Sequence, residues 1–101
     1  MEYYSHINSN KKKLYPSYDA LPPCAKKVYS ALLLMCTDAS YKDEELEFMP
    51  TNRQIAEISG VTSNISHYLA VLDRNEYIWV TWTYKGRRKH RIEMLKKEET
   101  K

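Results

Sequence analysis

Glycine is nearly absent from this 101-residue chain, which has only Gly60 and Gly86. A Gly-rich phosphate loop needs several backbone positions free of a Cβ, so that class of nucleotide-binding site is excluded. Cysteine is equally scarce, with Cys24 and Cys36 alone. On a single helix their separation amounts to about 18 Å of rise. A disulfide needs Cα atoms within about 7 Å, so two free, buried thiols are expected. Neither cysteine stands in a Cys-x-x-Cys or Cys/His metal spacing, and no metal or cofactor is expected. The histidines, His6, His67 and His90, lack a Ser, Cys or Asp partner at a catalytic spacing. Glu44-Glu45 reads as ordinary loop acid, so the expectation is that the chain is not an enzyme.

Long apolar runs are missing too. The longest, Ala31 to Cys36, is far short of the roughly 20 residues of a membrane helix. Met1-Glu2-Tyr3-Tyr4 lacks the charged and then apolar plan of a signal peptide. No membrane partner is expected, and the reading is a cytoplasmic protein. Internal repeats and low-complexity segments are also absent.

What is present is enough for one small domain: 43% of the residues are hydrophobic, and the net charge is only +3. The distribution of charge says more than its sum. Residues 38 to 47 hold Asp38, Asp43, Glu44, Glu45 and Glu47 against Lys42, whereas Lys85-Gly86-Arg87-Arg88-Lys89-His90-Arg91 contains no acid. A basic face opposite an acidic one is the expectation.

Residues 1 to 20 read as a polar tail or arm with interspersed Tyr. Lys11-Lys12-Lys13 fits a disordered basic tail better than a minor-groove arm. Leu21-Pro22-Pro23 announces a first helix, from about Pro23 to Cys36, because Pro tolerates the first helical turn. Val28, Leu32 and Met35 form its inward stripe. Ala31, Leu33 and Leu34 broaden it, which either a dimer contact or a thick core explains. Glu47-Phe48-Met49 is a candidate short strand. Thr51-x-x-Gln54 is a capping box that opens a second helix. Ile55 and Ile58 form the buried stripe of that helix, with Ala56 at a tight contact, and Gly60 ends it in a left-handed turn.

A third helix is expected from Thr62 or Ser63 to about Arg74, with Ile65, Leu69 and Leu72 inward. Asn75 is expected to take the left-handed cap. Tyr77 to Tyr84 is rich in β-branched and aromatic residues, hence a strand. Lys85 to Arg88 turns it, and Lys89 to Leu95 returns. Residues 96 to 101 are a charged tail.

Stepping about 100° per residue from Ile65 puts Ser63, His67, Ala70 and Arg74 near the opposite pole of the third helix, flanked by Asn64 and Ser66. That face is polar and mostly small. It is either an ordinary solvated surface or one that can approach base edges, where Asn reads adenine and Ser or His donates or accepts. The basic run supplies phosphate contacts that the helix alone does not, with affinity falling steeply in salt. Trp79, Trp82 and Tyr84 are better read as packing on the helical core than as base-stacking platforms.

Ile65-Ser66-His67-Tyr68-Leu69-Ala70-Val71-Leu72-Asp73-Arg74-Asn75-Glu76-Tyr77-Ile78 resembles the recognition helix and first wing strand of winged helix-turn-helix regulators of the ArsR and MarR kind. Met49-Pro50-Thr51-Asn52-Arg53-Gln54-Ile55-Ala56 resembles the start of helix 2 in the same superfamily. The order of Leu21-Pro22-Pro23-Cys24-Ala25-Lys26-Lys27-Val28-Tyr29, acidic loop and Pro-Thr-x-x-x-Ile-Ala is also similar to winged-helix domains of plasmid and phage replication initiators. Two departures stand out. Gly60 to Ile65 is one residue shorter than the usual pattern, so the turn or the start of the third helix differs. Glu76 occupies a place where Gly is common. The Cys clusters of metal-sensing ArsR relatives are absent.

The resemblance implies an α+β, mainly α, winged helix-turn-helix over residues 21 to 95: three helices and a β-hairpin wing. It implies binding of double-stranded DNA with the third helix in the major groove and the wing on backbone or minor groove. Ser63, Asn64 and His67 are the candidates for base contact, Ser66 flanks them on the DNA-binding face, and Arg53, Arg74, Lys85, Arg87, Arg88, Lys89 and Arg91 are those for phosphates. A homodimer on paired half-sites is expected. Its surface would be the N-terminal segment and first helix, since the C-terminal tail is too short for a dimerisation helix. The expected role is a transcriptional repressor or other regulator, nucleoid-associated when bound. A plasmid or phage replication or partition protein is the alternative. A winged helix used for protein–protein contact would instead predict an apolar or acidic helix face and no need for a basic wing.

Overall fold

A computed structural model describes residues 14–82 and 90–95. The first helix, α1 (Pro23–Met35), starts with Pro at its first position, where no intrahelical N–H is required. It buries Ala25, Val28, Ala31, Leu32 and Met35, so the Val28, Leu32, Met35 stripe faces the core as expected. Leu33 and Leu34 do not: both are exposed, Leu34 at 72%. They lie on the side of α1 away from α2 and α3. Cys24 and Cys36 are free and half-buried, one on the first turn and one capping the end.

The second helix, α2 (Asn52–Ser59), is set by its capping box. Gln54 N–H donates to Thr51 Oγ1 at 3.0 Å, and Thr51 N–H donates to Gln54 Oε1 at 2.9 Å. Together they satisfy two donors that a helix start leaves open. Gly60 stops the helix at φ 81°, a left-handed conformation that costs glycine little. Ile55 is fully buried. Ile58, expected beside it, is exposed on the flank of this short helix.

The third helix, α3 (Ile65–Arg74), begins later than the periodicity alone suggests. Asn64 sits at φ 63°, ψ 29°, outside the right-handed region, so Ser63 and Asn64 belong to the preceding turn. This is where the shortened Gly60 to Ile65 spacing is absorbed. Ile65, Leu69 and Leu72 are buried as expected, and Val71 and Asp73 are buried with them. At the far end the left-handed residue is Glu76, at φ 68°, rather than Asn75. Asn75 turns the chain differently: its Nδ2 donates to Val71 O at 2.8 Å, and its Oδ1 accepts from Tyr15 N–H at 2.8 Å. The N-terminal segment is thereby fastened to the end of α3.

Two antiparallel strands follow, β1 (Ile78–Thr81) and β2 (Arg91–Met94), paired Ile78 to Met94, Trp79 to Glu93, Val80 to Ile92 and Thr81 to Arg91. Ile78, Val80 and Ile92 point into the core. With a period of two, Trp79 must face out. It is 45% exposed, which corrects the expectation that it packs on the helices, whereas Trp82 does pack there. Phe48 forms a bridge with Lys42, and its carbonyl accepts from Ile92 N–H at 2.9 Å. The expected strand at 47–49 therefore exists only as this short edge pairing beside β2. One apolar core joins α1, α2, α3 and the hairpin, with Leu32, Ile55, Leu69, Leu72 and Ile78 fully buried.

Candidate nucleic-acid interface

The turn from Gly60 to Asn64 is bounded by two left-handed residues. Val61 plugs it into the core, with its N–H donating to Ser59 Oγ at 3.1 Å. This link carries Ser63 and Asn64, both exposed, to the start of α3. Ser66 and His67 on the first turn of α3 are exposed as well, and the His67 ring meets Tyr68 edge-on at 5.0 Å. No side chain caps this helix start. Its first-turn N–H groups therefore form a locus of partial positive charge.

From Tyr68 to Arg74, every residue of α3 is at least half-buried. Ala70 and Arg74, expected on the open polar face, are partly covered. The accessible polar surface of α3 is confined to its first turn and the turn before it. The structure thus brings Ser63, Asn64, Ser66 and His67 together and sets Arg74 apart. Burial pulls the Arg74 guanidinium down from its ordinary range, an effect opposed by neighbouring Asp73 and by Tyr15. It remains a cation.

Asn52, at the first position of α2, joins the group. Its Nδ2 donates to Ser66 Oγ at 3.0 Å across the helix pair. Arg53 follows it and is almost fully exposed, with a side chain 87% accessible and Nε 3.7 Å from Glu57 Oε2. A surface pair one helical turn apart is worth only about 0.3–0.5 kcal/mol, so the guanidinium is easily redirected. Asn52 was not among the site residues expected from sequence. The available signal was its place at the first position of the helix preceding the turn, but the contact spans 14 residues and has no periodic signature.

The hairpin is less uniformly basic than its sequence suggests. His90 is buried, packed edge-on against Trp82 at 4.8 Å, and burial pushes its pKa down. It therefore adds no charge at neutral pH. Arg91 Nε lies 3.8 Å from Glu47 Oε1, so the acidic segment reaches the hairpin edge rather than lying wholly opposite a basic face. Lys85, Arg87, Arg88 and Lys89 lie outside the described residues, as does Tyr84.

Three helices, a tight turn between the second and third, and an antiparallel hairpin after them complete the set. The fold is winged-helix-like. A solved structure described as "N-Terminal domain of DNA binding protein" shares it with a TM-score of 0.54, at 14% identity over 99% of this chain and 87% of that one. No protein-family profile and no curated protein matches the chain. In this winged-helix-like frame the exposed end of α3 is its N-terminal turn, carrying the polar cluster. Among the described residues, no helix is long and apolar enough to cross a membrane.

Proposed function

We propose that this chain is a sequence-specific double-stranded DNA-binding protein, acting in the cytoplasm as a homodimeric transcriptional regulator and not as an enzyme. The observation that carries the reading is the restriction of α3's open surface to Ser66 and His67, beside Ser63 and Asn64 on the adjoining turn. These are short or hydrogen-bonding side chains at the end of the helix where helix-turn-helix proteins place their base-reading groups. The name of the structurally similar protein and the basic run from Lys85 to Arg91 support the same reading. A protein–protein module would call for an apolar or acidic α3 face, and the exposed residues of α3 include no acid.

The test is selection of bound duplexes from a random pool, followed by a salt titration of the selected site. Changing Arg87, Arg88 and Lys89 together to Ala is expected to weaken binding uniformly across sequences. If all three residues contact phosphate, the slope of log affinity against log salt should fall by about 3. His67→Ala is expected to relax sequence preference instead. Unchanged duplex affinity in the triple variant at moderate salt would remove the wing from the interface. A footprint covering two half-sites would support the homodimer.

A further inference from the structure

Resting on the DNA-binding reading, we propose that Asn52 is a specificity-determining positioning residue, which sets the hydrogen-bonding polarity that Ser66 presents to a base edge. A serine hydroxyl rotates freely and serves as donor or acceptor. Here Ser66 Oγ accepts from Asn52 Nδ2 at 3.0 Å. With that lone pair engaged from the α2 side, the hydroxyl proton is directed away from Asn52. Ser66 itself is exposed on the first turn of α3. Its proton is therefore turned outward and suits a base edge rich in acceptors: guanine N7 and O6, thymine O4 or adenine N7. The exocyclic amine of cytosine, which offers only a donor, would leave that outward proton unpaired.

A second observation concerns the other end of the same amide. Asn52 Oδ1 is buried with no hydrogen-bond partner among the described residues. A buried amide oxygen left unpaired costs the fold stability that an apolar side chain at this place would not. What Asn52 contributes in return is the contact to Ser66, which joins the starts of α2 and α3 and leaves one defined rotor on the exposed surface. The capping box of α2 is made by Thr51 and Gln54, so Asn52 is not needed to start its own helix.

The experiment compares sequence preferences of the full chain and three variants by selection from a random duplex pool, with thermal unfolding as the check on folding. Ser66→Ala is expected to lower discrimination at one base position by about three- to tenfold. Asn52→Ala should lower it at the same position, and the double variant should be no worse than Ser66→Ala alone. Asn52→Asp sharpens the test. The carboxylate it introduces only accepts, so the Ser66 hydroxyl would turn inward to donate and leave its lone pairs outward. Preference at that position should then move toward bases presenting an amine, cytosine or adenine. A negative charge at the start of α2 suits the helix dipole, so this variant is expected to fold. Additive losses, losses at different base positions, or an unchanged preference in Asn52→Asp would overturn the proposal. Uniform weakening without any change of preference would also overturn it, assigning Ser66 to a phosphate while leaving the DNA reading intact. Absence of duplex affinity in the unaltered chain would end both.

Discussion

The two ends of α3 are built for opposite purposes. At the N-terminal end, Ser66 and His67 are exposed, no side chain caps the helix, and the tertiary side-chain contact is the bond from Asn52. At the C-terminal end, Asp73 and Asn75 are buried, Arg74 is half-buried, and Asn75 holds both its own helix and the backbone of Tyr15. Tyr77 then packs in a cluster with Tyr18 and Tyr29, at ring separations of 6.0 and 5.3 Å. On the proposed DNA-binding reading, such a helix needs one end held and the other clear. The held end is tied to the backbone of Tyr15 and packs beside β1.

The largest expected effect comes from the residue between the two ends. Leu69 is fully buried. Leu69→Ala should destabilise by about 2–5 kcal/mol, the usual range for a core Leu whose cavity closes incompletely. Chemical denaturation reads this directly. A loss under 1 kcal/mol would mean that α3 is not clamped along its length and would dissolve the contrast between its ends. Asn75→Ala tests the held end alone. It removes the side-chain bonds to Val71 O and Tyr15 N–H; Val71 O keeps the Asn75 backbone N–H, so the part-buried Tyr15 N–H is the group that loses its partner, at a cost of about 1–3 kcal/mol. Hydrogen exchange at Tyr15 should speed up as the N-terminal segment loosens. Base preference should not change, and a changed preference would show that the two ends are coupled.

Much of this arrangement could be read from the residues, and the rest could not, for a physical reason. Local rules act over three or four residues. They place the Thr51 and Gln54 box, the stop at Gly60, and the Ile65, Leu69, Leu72 stripe correctly. They misplace what depends on distant partners. Asn75 was expected to supply the left-handed turn because Asn tolerates that conformation. It instead uses its side chain on Tyr15, 60 residues away, and leaves the strained turn to Glu76. Trp79 reversed its expected place because strand alternation, not residue type, decides which side chain faces the core. Hydrophobicity argued for a buried Trp79, and the pleat overrode it. In the candidate site, Ser63, Asn64, Ser66 and His67 were legible as a polar group. Their gathering at one end was not, since it follows from the tertiary packing of the rest of α3 against α1, β1 and α2.

A smaller effect is expected at the base of the hairpin. Burial holds His90 below its ordinary pKa in the folded chain. Well above the ordinary histidine value of about 6.5 the imidazole is neutral in both states and no stability is lost through it. As pH falls through that value, the unfolded chain takes up the proton more readily than the folded one, so stability declines. Melting temperature should drop between pH 7.5 and 5.5, a window that avoids the carboxylates, and His90→Gln should flatten the drop. A variant with the same pH profile as the unaltered chain would place the titration elsewhere.

The smallest effect concerns the bend that ends the held region. Glu76 is exposed and lies at φ 68°, a conformation that a residue with a Cβ adopts at a cost of about 1–2 kcal/mol. Glu76→Gly relieves that cost but adds backbone freedom to the unfolded chain, which takes back part of the gain. The net expectation is a stabilisation of about 0.5–1 kcal/mol, seen as a rise of a few degrees in melting temperature. The geometry needed is already present, since Glu76 N–H donates to Asp73 O at 3.0 Å, and a backbone bond of this kind survives the change. A fall in melting temperature would show that the Glu76 side chain contributes more at this corner than its backbone strain costs. The hold on α3 would then rest partly on Glu76 and not on Asn75 and the buried hairpin alone.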